Sequence, residues 1–219
     1  MSTPAIRTLA DRAVPFSASE GAELVHHGIK GVIVYAPWYT SATWSQDGKV
    51  RERVEALAGA GLEFLPLQEA PQSGQFTSRR GSEDGQRFNE WCAKLWREHH
   101  DRRAVLYVEA SVGTIASAYC GGWANEVAHG YIPIIGGSVQ LIDAMAGKGY
   151  GFRGAMPAEY MHPGNRYPIP DIVHMPTPYW QHREGHRAWQ YTNEVDLGLP
   201  DGPVDLTICD MPLNPKPHP

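Results

Sequence analysis

What most constrains this chain is an alternation in which short runs of strand-forming apolar residues give way, again and again, to helix-length segments with one apolar face. The run Gly-Val-Ile-Val-Tyr at 31–35 is β-branched and apolar throughout, as expected of a parallel strand covered on both faces. It stops at Pro37. A helix over 49–60 follows, with Val50, Val54, Leu57 and Ala58 on one side, and a strand over 62–68 then ends in Glu69. The next helix has the clearest period: Phe88, Trp91, Cys92, Leu95, Trp96 and His99 recur at helical spacing with Arg87, Glu90, Lys94 and Arg97 between them, so its tryptophans are read as core.

The run Ala-Val-Leu-Tyr-Val-Glu at 104–109 makes the fourth strand and carries a carboxylate, Glu109, at its C-terminal tip. A helix over 114–129, a strand over 131–135, a short helix over 139–146 and a weaker strand over 150–156 continue the pattern. Before all of these, 13–18 reads as the first strand, with Ser19 capping a helix over 20–27. Prolines at 157, 163, 168, 170, 176 and 178 preclude a long helix over 157–185, which reads as an extended loop replacing one or two helices. Strands return at 187–192 and 204–209.

Alternating strands and helices argue for right-handed βαβ units and a parallel sheet. Eight strands in 219 residues fit a distorted or incomplete (β/α)8 TIM barrel, with an open doubly wound sheet as the alternative. The expected organisation is a leader at 1–12, one barrel domain at 13–210, and a proline-rich tail at 211–219 that is an extended arm able to pack on a neighbouring subunit.

Composition narrows function by exclusion. A net charge of -5 without clustered Lys and Arg gives no electrostatic reason to bind nucleic acid or an anionic membrane. No apolar run approaches a bilayer-spanning length and no export signal is read at the N-terminus, so the expectation is a protein made in the cytoplasm, with a phage particle or holin as a route outward. Cys92, Cys120 and Cys209 are odd in number and widely separated, and are read as buried free thiols. No cofactor is expected. The letters Gly149, Gly151 and Gly154 match a dinucleotide fingerprint but follow a helix, not a strand, and are rejected. His162, His174, His182 and His186 lie in the proline-rich segment; the glutamate between the last two is misplaced for a zinc motif, and no metal site is assigned.

In a barrel, chemistry sits where strands end. Four acids are candidates there: Glu69, Glu109, Glu159 and Asp205. Glycoside hydrolysis uses two carboxyl groups flanking the scissile bond, one protonated and one ionised. Glu109 and Asp205 are the stronger pair, with Glu69 as a substitute partner and Glu159 read as solvated. Tyr35, Tyr107, Trp189, Gln190 and Tyr191 lie in or beside the same strands, where aromatic faces can stack on a sugar or fill the core.

The sequence Arg-Ala-Trp-Gln-Tyr-Thr at 187–192, followed by Val-Asp-Leu at 204–206, resembles the strands that close the barrel of family 25 glycoside hydrolases, the Chalaropsis-type lysozymes. The strand Leu-Tyr-Val-Glu at 106–109 resembles their acid-bearing fourth strand. With Gly-Ile-Lys-Gly-Val-Ile-Val-Tyr at 28–35 and Ala-Gly-Leu at 60–62, the arrangement is similar to the related glycoside-hydrolase-like domain of actinobacterial proteins and their phages. The resemblance implies a barrel acting on cell-wall polysaccharide, with Glu109 as general acid. It also exposes two departures. Family members carry an Asp in the first strand, where Ser17 stands in the segment 13–18, and an Asp-x-Glu in the fourth, where Tyr107 takes the first position. Two readings therefore stand side by side: a polysaccharide-binding or polysaccharide-cleaving barrel, and a catalytically silent barrel serving as a minor tail or host-binding protein of a phage virion. An intracellular metal-dependent hydrolase is a third.

Overall fold

The computed structural model describes residues 7–39, 48–96, 102–145, 148–158 and 188–209. Strands and helices alternate as β1 (Arg7–Asp11), α1 (Ala18–His26), β2 (Gly31–Tyr35), α2 (Val50–Gly59), β3 (Glu63–Glu69), α3 (Ser78–Leu95), β4 (Arg103–Val108), α4 (Ser117–Val127), β5 (Ile132–Gly137), α5 (Val139–Met145), β6 (Ala155–Pro157), β7 (Ala188–Val195) and β8 (Val204–Cys209). These strands form one eight-stranded sheet in the order β6-β5-β4-β3-β2-β1-β8-β7. A parallel bridge between Ala158 and Gln190 joins its two edges, so the sheet is a nearly closed, TIM-like barrel. No described helix is long and apolar enough to cross a membrane.

Inward and outward side chains alternate along each strand. Leu9, Ile33, Leu65, Leu67, Val105, Ile134, Met156, Ala188 and Cys209 fill the interior. The intervening residues face the helices in a larger apolar layer that includes Ala10, Val32, Val34, Phe64, Leu106 and Trp189. Helices α3 and α4 approach closely because Gly81 and Gly85 of one and Gly122 of the other leave backbone against backbone.

Two expectations are corrected. The first strand is not 13–18 but β1, five residues from the segment read as a leader, paired in parallel with β2 and antiparallel with β8. Pro15 has no N–H to give to a central ladder, which disfavours a strand over 13–18. Ser17 instead caps α1 in a reciprocal box, accepting from Glu20 N at 3.3 Å while its own N–H reaches Glu20 Oε2 at 2.8 Å. The sheet is also not wholly parallel: β8 runs antiparallel to both neighbours. The segment 196–203 linking β7 to β8 is a hairpin connection, too short for a crossover helix of a dozen or so residues. The extended loop expected over 157–185, Glu159 and the tail 211–219 lie almost wholly outside the described residues.

Candidate active site

The reversal of β8 decides the composition of the site. Seven strands deliver their C-terminal ends to one face of the barrel, and the antiparallel β8 delivers its N-terminal part there instead. Asp205, near the start of β8, is thereby the direct register partner of Asp11, the last residue of β1. Continuing the inward alternation beyond the apolar layer brings Asp11 above Leu9, Tyr35 above Ile33, Glu69 above Leu67, Glu109 above Tyr107 and Gln190 above Ala188. A cavity of about 160 Å³ opens there, lined by Asp11, Tyr35, Leu67, Glu69, Tyr107, Glu109, Met156, Gln190 and Asp205. That is below the several hundred Å³ usual for ligand pockets and suits one ring-sized group. Gly136, the register partner of Tyr107, makes room for it: a methyl on Gly136 would come within 3.0 Å of the Tyr107 ring.

The floor is the buried part. Asp11 is 4% exposed, beside buried Leu67, Met156 and Gln190, while Glu69, Glu109, Tyr35, Tyr107 and Asp205 form half-buried walls. Tyr35 donates its hydroxyl to Asp11 Oδ2 at 2.8 Å. Asp11 Oδ1 is buried and has no hydrogen-bond partner among the described residues. Burial pushes the Asp11 carboxyl up to about 7, against the lowering pull of the Tyr35 hydrogen bond and with the Asp205 and Glu69 charges adding to the rise. The same burial, with Asp11 alongside, pushes the Tyr35 hydroxyl well above its ordinary value.

Asp205 is held quite differently. Its Oδ2 accepts from Gln190 Nε2 at 3.1 Å and its Oδ1 from the Glu194 backbone N–H at 3.1 Å. That N–H is aimed by an irregularity in β7 between Thr192 and Val195, where Glu194 takes a φ of 54°. A left-handed non-glycine residue at a bulge beside a site is backbone strain used to direct a donor. Burial still raises the Asp205 carboxyl above its ordinary value, with these two donors opposing it.

The loop after β1 is tied down beneath the site. Arg12 points away from the cavity and pairs with Glu20 through two contacts of 2.9 and 3.2 Å, while donating to the Val14 and Pro15 carbonyls and, at 3.5 Å, to Gly202 before β8. It thereby links the loop that follows Asp11 to the loop that precedes Asp205.

The sequence-derived candidates divide as follows. Glu69, Glu109, Asp205, Tyr35, Tyr107 and Gln190 come together around the cavity. Trp189 does not: the alternation that turns Gln190 inward turns Trp189 outward, where it is completely buried in the helix-facing layer. The Tyr191 side chain lies outside the described residues. Asp11 was missed, although the pattern Thr-Leu-Ala-Asp at 8–11 carries the signal that singled out Glu109, an apolar run ending in an acid. Among the described residues no three His, Cys, Asp or Glu side chains are grouped to hold a metal ion, and the four histidines of the proline-rich segment lie outside them.

No family model and no curated protein matches the sequence. Solved structures do match the fold. The glycosyl hydrolase 25 GHIP of Streptococcus pneumoniae, a virulence factor participating in host cell invasion, superposes with a TM-score of 0.61 over 93% of this chain and 86% of its own, at 11% identity. The Tat-secreted protein Rv2525c of Mycobacterium tuberculosis, in complex with L-tartrate, gives 0.59 over 94% and 95% at 16% identity. The catalytic domain of endolysin ply40, from bacteriophage P40 of Listeria monocytogenes, gives 0.55 over 94% and 93% at 14% identity. The chain therefore has the barrel fold of the family 25 glycoside hydrolases.

Proposed function

We propose that this barrel binds cell-wall polysaccharide and hydrolyses a glycosidic bond in it. The observation that carries the reading is the convergence of Asp11, Glu69, Glu109 and Asp205 on one ring-sized cavity, including a first-strand acid. A hydrolase acting through two carboxyl groups needs them on opposite sides of the bond, in different protonation states. In a polymer bound with one ring in so small a cavity, the inter-sugar bond passes the half-buried walls and not the floor. Glu109 is accordingly the proton donor, and Asp205, fixed by Gln190 and Glu194, is the ionised partner. Tyr35, Tyr107 and Gln190 hold the ring. The fold shared with a phage endolysin catalytic domain and a glycosyl hydrolase 25 supports the substrate class. Within it we place the chain with the glycoside-hydrolase-like domains of actinobacteria and their phages, on the strand motifs at 28–35, 106–109 and 187–192.

The silent virion barrel rested on Ser17 standing where a first-strand acid was expected, on the export signal not read at the N-terminus and on the proline-rich tail. With Asp11 at the end of β1, the first of these grounds lapses. Reducing-end release from purified peptidoglycan tests the proposal: wild type releases sugar, and Glu109→Gln lowers the rate by about a hundredfold or more. No turnover by either protein overturns it.

A further inference from the structure

The polar inventory of the cavity is one-sided. Tyr35 spends its hydroxyl proton on Asp11 and Gln190 directs its amide at Asp205, so two of the three side-chain donors among the described lining residues, Tyr107 being the third, are directed at the lining's own acids. Four carboxyl groups line the cavity, and among its described lining residues there is no Lys, Arg or His. At the floor, Asp11 Oδ1 is a buried acceptor without a partner among the described residues. Buried polar atoms are nearly always satisfied, and one left open at the base of a cavity is an acceptor waiting for a ligand donor. An acetamido group brings a single uncharged N–H donor, together with a carbonyl and a methyl that find only acceptors along this wall. A free amine brings N–H donors and a positive charge.

Building on the polysaccharide reading above, we propose that the cavity selects an amino sugar whose amine is free, seating the ammonium on Asp11 Oδ1, in preference to its N-acetylated or amine-free counterpart. Ring carbons lie over Leu67 and Met156, and the linkage leaves along the Glu109 and Asp205 walls. The substrate is then a cell-wall polymer from which acetyl groups have been removed, so an N-deacetylation must precede the action of this protein.

Titration calorimetry on the full chain decides the matter with three tetrasaccharide probes: fully deacetylated chitotetraose, N-acetylchitotetraose and cellotetraose, at neutral pH, where protonated amine and ionised Asp11 coexist. The deacetylated probe is expected to bind wild type about tenfold or more tightly than the other two, the scale of one charge-assisted hydrogen bond. Asp11→Asn is expected to abolish that preference while keeping affinity for cellotetraose. Equal or tighter binding of the acetylated or amine-free probe by wild type overturns the amine assignment and leaves the polysaccharide reading standing. A preference that survives Asp11→Asn reflects attraction to the acidic walls at large and overturns the seat at Asp11. Binding of none of the three overturns both. The wild-type comparison does not depend on the variant folding.

Discussion

Asp11 and Asp205 face one another as direct partners across the antiparallel β1–β8 ladder, their side chains on the same inner face of the barrel. Like charges opposite each other on a sheet destabilise it, and the protein meets this by holding the two unequally. Asp205 has a donor on each oxygen, whereas the Asp11 carboxyl takes the Tyr35 hydroxyl on Oδ2 and feels a weaker pull from the Arg12 backbone N–H. A wholly parallel barrel would present the far end of β8 to this face, and the pair would not exist.

Asp11 binds its proton more tightly in the folded state, near 7, than at its ordinary value of 3.8. The sign follows: its contribution to stability is full below the ordinary value, declines as pH rises, and is gone above about 7. At about 1.4 kcal/mol for each pH unit, the ionised carboxylate costs the fold up to about 4 kcal/mol. Asp11→Asn removes this cost. In urea unfolding between pH 4 and 8, the stability of Asp11→Asn relative to wild type should climb with pH and level off above 7; a flat difference refutes the raised proton affinity.

Glu20 behaves in the opposite sense. Burial alone would raise its carboxyl, but the Arg12 and Ser17 hydrogen bonds bring it below the ordinary 4.5. Its stabilisation is therefore present at neutral pH and lost only as pH falls through that lowered value. Glu20→Gln leaves the buried Arg12 guanidinium with the more exposed Asp201, 3.9 Å away, in place of its close counter-charge, and should cost about 3 kcal/mol in chemical denaturation at pH 7. Replacing both partners by apolar residues should cost less than the single change, and a double-mutant cycle checks this. Because Arg12 also reaches Gly202 ahead of β8, Glu20→Gln should lower turnover as well.

Much of this fold is legible in the sequence because the signals are local. A continuous apolar run at 31–35 and the period of Phe88, Trp91, Cys92 and Leu95 allow one reading each, and Glu109 stands out at the tip of its strand. The failures share a cause: they turn on partners distant in sequence. Thr-Leu-Ala-Asp at 8–11 is short and becomes a strand only by pairing with β2 and β8. The direction of β8 follows from the short 196–203 link, which leaves no room for a crossover helix and to which side-chain periodicity is blind. Trp189 was placed one position out of phase with the cavity, because an aromatic beside a site reads the same whether it faces ligand or helices. A single residue of strand register decides between the two.

The α3–α4 contact is expected to be the least tolerant of added bulk. A methyl at Gly81 would lie 2.0 Å from the Tyr119 carbonyl oxygen, and one at Gly122 2.0 Å from that of Ser78. Neither neighbour is a side chain able to rotate away, so the helices must separate, opening the layer that contains Phe88, Cys92 and Trp123. Overpacking typically costs about 1–3 kcal/mol, and contacts against backbone fall at the upper end or beyond. Gly81→Ala and Gly122→Ala should each lower the thermal midpoint by several degrees, while Gly59→Ala, with open space around it, should not.

Trp189 and Tyr107 provide the sharpest separation of core from site. Trp189 is completely buried facing the helices, and Tyr107 is half-buried on the cavity wall. Trp189→Phe removes ring volume from a packed layer and should lower stability by about 1–3 kcal/mol while leaving oligosaccharide affinity unchanged. Tyr107→Ala removes an aromatic face from the cavity; it should weaken oligosaccharide binding by about tenfold, with a smaller stability loss than truncating a fully buried ring brings. Affinity and denaturation measured on the same two variants check both halves. Loss of binding in Trp189→Phe with none in Tyr107→Ala would put the sugar on the other side of the β-sheet and overturn the site.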